Sequence, residues 1–223
     1  MTTAIVGVGN IGGALARNLV RGDEPVVLAA RDESDAARLA GELGPLASAA
    51  TVQAAIEAAD VVVFAVWFEV LRPLIAEYAD LLGGKVVADP SNPIGFTADG
   101  APFRTLPEGQ SQGTLVAAML PPGAHYVKAF GTLGADSLAY SANRAPRRAV
   151  LFYATDDDQA AAATERLITV CGFDPVRAGG LNEARRLEAP GGDLSQNGGL
   201  GGRLLDADQA RAAVAAAPAP RAN

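Results

Sequence analysis

The feature that most constrains this chain is the spacing of three glycines close to its start. Gly7-Val8-Gly9-Asn10-Ile11-Gly12 follows directly on a short apolar run, Ala4–Val8, and opens a stretch from Ile11 to Arg21 in which Ile11, Leu15, Leu19 and Val20 share one helical face. A strand that passes so abruptly into a helix needs a residue for the tight turn, one without a side chain where the backbone must be approached, and one that lets the helix press on the strand. Gly7, Gly9 and Gly12 stand at those three places. The amides at the start of such a helix, together with its dipole, favour a phosphate. A glycine-rich turn with no ligand is the plain alternative.

The pattern repeats along the chain. Apolar strand-like runs stand at 25–30, 61–66, 85–89 and 126–130, with helical patterns at 35–43, 51–58, 70–82 and 113–120 between them. Pro73 is read as falling in the first turn of the 70–82 helix. A short strand is required near 45–50, where the sequence shows it only weakly, and 90–113 reads as a long loop. This alternation predicts an α/β protein with a Rossmann-type, doubly wound, mostly parallel sheet over residues 1–135. Residues 136–223 read as a small C-terminal extension: a strand at 148–155, a helix at 159–171, an edge strand at 174–178, helices at 182–187 and 206–217, and a frayed tail. Asp156-Asp157-Asp158 precedes a helix and reads as an acidic cap, not a metal site. Gly191–Gly202 reads as a connector without fixed structure, or else as a lid.

Composition closes off other classes. Among 223 residues, 49% are apolar and the net charge is -7, with no basic stripe for nucleic acid or an anionic membrane. One cysteine and one histidine rule out an internal disulfide and a cysteine or histidine metal cluster. Cys171 reads as a packed residue and His125 as a surface one. The start has no basic n-region and no run reaches membrane-span length, so a cytoplasmic protein with no membrane partner is expected.

Residues beyond the carboxyl ends of the strands are candidates for contact with a dinucleotide. Arg31 follows the second strand where an NAD site usually has an acid, so its guanidinium favours a 2′-phosphate, and hence NADP; a solvated surface arginine is the other reading. Val66 and Trp67 end the Val61–Val66 strand, and Trp67 and Phe68 are either at a ligand or in the core. Asn92 and Pro93 follow the next strand, Asn92 as a ligand contact or a turn former. Ala129, Phe130 and Gly131 end the one after. Glu188 and Asp193 flank the glycine-dense stretch.

Together these segments resemble the NADP oxidoreductases dependent on the deazaflavin coenzyme F420, and the related oxidoreductase domain of STEAP-type metalloreductases. The resemblance covers residues 1–135 well. It implies that Gly7, Gly9, Asn10, Ile11, Gly12 and Arg31 carry NADP, and that Val66, Trp67, Asn92, Pro93, Ala129 and Phe130 line the nicotinamide side. It implies hydride transfer to or from coenzyme F420, or a flavin-like acceptor, with no metal or covalent nucleophile, and a homodimer. The family often carries His or Asn where this chain has Gly131, and its apolar C-terminal helix is replaced by the glycine-dense stretch. Reduction of another small acceptor (a carbonyl, an imine or a metal chelate), or an NADP-sensing module without turnover, stand as alternatives.

Overall fold

The computed structural model describes residues 1–216. Its first half runs β1 (Thr3–Val6), α1 (Asn10–Arg21), β2 (Val26–Ala29), α2 (Glu33–Leu43), β3 (Ala47–Ala49), α3 (Val52–Ala58), β4 (Val61–Phe64), α4 (Phe68–Glu77), α5 (Ala79–Leu82) and β5 (Val86–Asp89). A small hairpin follows, β6 (Ile94–Phe96) with β7 (Pro102–Arg104), then α6 (Gln112–Met119) and β8 (His125–Ala129). The remainder is α7 (Ala135–Tyr140), β9 (Val150–Ala154), α8 (Asp158–Val170), β10 (Asp174–Gly179), α9 (Ala184–Leu187) and α10 (Ala207–Ala215).

Eight strands form one sheet in the order β10-β9-β8-β5-β4-β1-β2-β3. All neighbours are parallel except β8 and β9, which run antiparallel through Lys128↔Ala154 and Ala129↔Tyr153. The central strands are mostly apolar because both faces are covered. Their side chains alternate between two cores: Val61 and Val63 face the side of α1 and α8, while Val62 and Phe64 face that of α3, α4 and α6. Each such buried side chain contributes roughly 1.5–3 kcal/mol. The strand order reverses between β1 and β4, so a crevice opens beyond their carboxyl ends.

The weak strand near 45–50 exists as β3, and Asp157 caps α8 by accepting from Ala160 N at 2.8 Å. Three expectations are corrected. Residues 90–113 are not simply a loop, since they contain β6 and β7. The 70–82 helix starts at Phe68 and breaks at Tyr78, which puts Pro73 in the second turn. Gly191–Gly202 is not a loose connector: Leu194, Ser195 and Leu200 are buried, and Gln196 receives Gly134 N and donates to Ser137 Oγ, both at 2.8 Å. Gly192, Gly198 and Gly199 are demanded by packing, for a Cβ on Gly199 would stand 2.6 Å from Asp193 Cα. Helix α7, unmarked in the sequence reading, is tied to α1 by Asn18 Nδ2 donating to Leu138 O at 2.8 Å. The expected helix to 217 ends at Ala215, and its last expected residue, with the 218–223 tail, lies outside the described residues.

Candidate cofactor site

The three glycines of the first turn do three different jobs. Gly7 has φ +99°, a conformation that L side chains rarely adopt, and a Cβ there would stand 2.8 Å from Val66 Cγ1. A Cβ on Gly12 would overlap the Gly7 carbonyl oxygen and stand 3.0 Å from Ala65 Cβ. Both are therefore required by the fold. Gly9 is different. It has an ordinary φ of -69°, is exposed, and would bring its Cβ within 4 Å of no atom of the protein. Nothing inside the molecule needs a glycine there.

Gly9 is also the N-cap of α1, and a glycine offers no side chain to the first-turn amides, which have no acid beside them either. By contrast α2, α3, α6, α8 and α10 each begin with a side-chain cap, from Asp32, Thr51, Ser111, Asp157 and Asp206. Gly9 and the exposed Asn10 border a cavity of about 470 Å³ that lies between α1, α2 and α7, lined by Arg17, Arg21, Arg38 and Asp136. Ile11 is half-buried behind them. These donors fit a pyrophosphate.

Arg31 stands exposed just past β2. Its neighbour Asp32 is turned away from the crevice, accepting from Ser34 N at 3.0 Å and Ser34 Oγ at 2.7 Å as the cap of α2. Those two bonds, the side-chain one foremost, lower the Asp32 pKa, with a smaller contribution from Arg31. The acid that could bond a ribose 2′-hydroxyl is thus spent on the helix, while the guanidinium that suits a 2′-phosphate is exposed.

On the other side of the switch point, Val66 leans over the Gly7 turn. The pair Trp67-Phe68 divides: Phe68 is buried in the core, and Trp67 is 57% exposed. Trp67 meets Phe96 of the hairpin edge-to-face, with ring centroids 6.5 Å apart. Phe96, Phe103 and Val70 are exposed as well. Asn92 is a brace between segments: its Nδ2 donates to Gly131 O at 2.9 Å, and its Oδ1 accepts from Ala189 N at 2.9 Å. Pro93 is buried beside it. A Cβ on Gly131 would collide with the Pro90 carbonyl, so this position is glycine for close approach. Ala129 is buried, and Phe130 turns its ring into the core, so it offers a ligand only backbone. Phe130 holds φ +64°, which for an aromatic residue stores about 1–3 kcal/mol.

Beneath this edge lies a buried polar cluster that sequence reasoning did not find. Asp89 and Lys128 are almost wholly buried and paired at 3.0 Å, and Tyr126 donates to the same Asp89 oxygen at 3.0 Å. Lys128 also donates to Ser91 O, and Gln112 donates to Ser91 Oγ. Burial first, then the charges of Asp89 and Glu188, push the Tyr126 phenol far above its ordinary range, so it remains a donor. Glu188 is fully buried and accepts from Arg104 Nη2 at 2.8 Å, Ser111 Oγ at 2.6 Å and Gly113 N at 2.9 Å. The acid at the end of β5 was visible in sequence as part of Asp89–Pro93, but its partners come from elements far apart in the chain.

The remaining candidates lie elsewhere. His125 is at the amino end of β8, bonded to Asp157 at 2.6 Å. Cys171 is buried, and burial, aided by Glu24, raises its thiol pKa far above neutrality. Asp193 is paired with Arg186 at 2.8 Å. No group of three or more metal-ligating side chains occurs among the described residues. Among them no helix is long and apolar enough to cross a membrane.

A doubly wound sheet with a cradle of this form at its switch point defines a Rossmann-type dinucleotide-binding protein. Comparison with known proteins narrows the class to the NADP-dependent oxidoreductases: residues 2–93 match the family described as NADP oxidoreductase, coenzyme F420-dependent. It is 29% identical over 185 residues to metalloreductase STEAP3 of Rattus norvegicus, covering 83% of this chain but only 35% of that relative's length. Among solved structures, the hypothetical protein SMa0349 of Sinorhizobium meliloti is 30% identical, with a TM-score of 0.80 over 92% of this chain and 95% of that one. A candidate F420-dependent NADP-reductase from Arthrobacter sp. FB24 shares the fold at 24% identity, with a TM-score of 0.72 over 83% and 87% of the two chains.

Proposed function

We propose that this chain transfers a hydride between NADP(H) and a planar acceptor of the deazaflavin (coenzyme F420) or flavin type. The observation that carries the reading is the exposed aromatic ledge of Trp67 and Phe96, set where β4 ends and three residues beyond Pro93, on the edge that holds the glycine loop. Gly7, Gly9, Asn10, Ile11 and Gly12 would hold the pyrophosphate, and Arg31 the 2′-phosphate. Val66, Asn92, Pro93 and the backbone of Ala129 and Phe130 would wall the nicotinamide. NADPH, when bound, supplies the hydride; the protein binds, orients and keeps water out.

The acceptor class follows from what the edge does not offer. A carbonyl or imine needs a proton donor beside it as the hydride arrives. Asp89, Tyr126 and Lys128 are buried and bound to one another below the surface, and Glu188 is buried and bound to Arg104, Ser111 and Gly113. A ring that stacks on aromatic side chains makes better use of the ledge. The reading includes a cytoplasmic homodimer, with sedimentation velocity as the check on assembly.

The test is near-UV absorbance of NADPH mixed with the pure protein and oxidised coenzyme F420, with a flavin in a parallel cell. Loss of the NADPH band in either cell is the expected result. No loss in both, with NADPH fluorescence still reporting binding, would overturn the acceptor and move the reading to another small-molecule reductase or a sensor.

A further inference from the structure

The ledge rests on a weak element. β6 and β7 have three residues each and pair only with one another, in a sheet of their own. A two-stranded hairpin is marginal in water. Its base is fixed by the bond from Thr105 N to Pro93 O at 2.9 Å, and its last residue, Arg104, reaches inward. The Arg104 guanidinium is 12% exposed, donates to Gln110 O at 2.5 Å and pairs with Glu188 at 2.8 Å. Glu188 comes from the far end of the chain, 84 residues on. The same carboxylate holds the start of α6 through Ser111 and Gly113, and the next residue, Ala189, is bonded to Asn92.

We propose that Glu188 is a positioning residue for the acceptor. It latches the hairpin through Arg104, and so fixes Phe96 against Trp67 and the ledge against the nicotinamide wall. This rests on the reading of the ledge as the acceptor site. None of its hydrogen bonds goes to the glycine loop or to Arg31, so the latch sets the acceptor's place and leaves the contacts to the dinucleotide's phosphates alone. A misplacement of about an ångström between reacting rings costs on the order of 10²-fold in rate.

Trp67 is the only tryptophan and stands on the ledge, so its emission reports the latch directly. Glu188→Gln keeps an acceptor for Gly113 N but removes the charge that holds Arg104. Arg104→Gln frees the hairpin while Glu188 keeps its bonds to α6, and it serves where Glu188→Gln does not fold. In either variant the expected result has three parts: Trp67 emission moves to the red, NADPH affinity stays within about twofold, and the hydride step from NADPH to F420 slows on the order of 10²-fold with a raised F420 KM. Two results would overturn the inference: a folded variant with unchanged Trp67 emission and hydride rate, or loss of NADPH affinity in proportion to the rate. If the wild-type protein binds NADPH but reduces neither F420 nor flavin, the acceptor reading fails, while Trp67 emission still decides whether Glu188 holds the hairpin.

Discussion

Gly9 and Arg31 are the residues whose chemistry is most plainly turned outward. Because no atom beyond its chain neighbours lies within 4 Å of the position of a Gly9 side chain, Gly9→Val should cost only what valine costs at a helix N-cap, about 1 kcal/mol or 2–4 °C in melting temperature. It should nevertheless abolish NADPH binding in a fluorescence titration. Retained binding would mean that the ligand does not lie on this loop. Replacing Arg31 by Glu should cost NADPH about 2 kcal/mol of affinity, roughly thirtyfold, and NADH much less; equal losses would show that Arg31 does not read the 2′-phosphate. The glycine spacing and Arg31 were legible in sequence because their roles are set by neighbours within a few residues. The double bracing of Asn92 was not, since its partners Gly131 and Ala189 lie 39 and 97 residues away. Nor was the direction of Phe130, which depends on a backbone angle that no side-chain pattern encodes.

At the scale of elements, periodicity found the buried strands and the long amphipathic helices because burial on both faces writes itself into the sequence. It missed β6 and β7, whose three-residue strands are too short to show alternation and include a glycine at 95. It also missed α7, a six-residue helix held by Asn18 and Gln196 from elsewhere in the chain. The acidic cap of α8 was legible and can be tested. Burial alone would raise the Asp157 pKa, but the Ala160 amide and the His125 ring outweigh it and the net shift is downward. Its stabilising effect is therefore complete above its ordinary value of 3.8 and lost as pH falls through the lower folded value. Asp157→Ala should destabilise the protein by about 1 kcal/mol, a fall of about 2–4 °C in melting temperature at neutral pH. The difference from wild type should narrow in strongly acid buffer. A difference independent of pH would mean that the carboxylate charge contributes nothing.

For the molecule as a whole, a division at 135 was read from the change in regularity of the sequence. In space, β9 and β10 extend the same sheet beyond β8. Antiparallel pairing of β9 with β8 is not visible in either strand alone, because a buried strand reads the same in both directions. A chain cut after residue 135 would leave the β8 edge unpaired and the core under α8 open, with Val127 and Ala129 exposed to solvent. Residues 1–135 expressed alone should elute as aggregate in size-exclusion chromatography, without the far-UV signature of the full chain. A soluble, NADPH-binding fragment would make the first 135 residues an independent domain.

The pair between Glu188 and Arg104 implies an order of events in time. The Gly7 turn and β1, β2 and β4 are complete within the first 66 residues, and the family match ends at residue 93. Glu188 must close a loop of 84 residues before the acceptor ledge is latched. A refolding chain should therefore regain NADPH fluorescence enhancement before the final Trp67 emission, as two phases in stopped flow; a single shared phase would show that both halves of the site form together. A newly made molecule would hold its dinucleotide before its acceptor ledge was set.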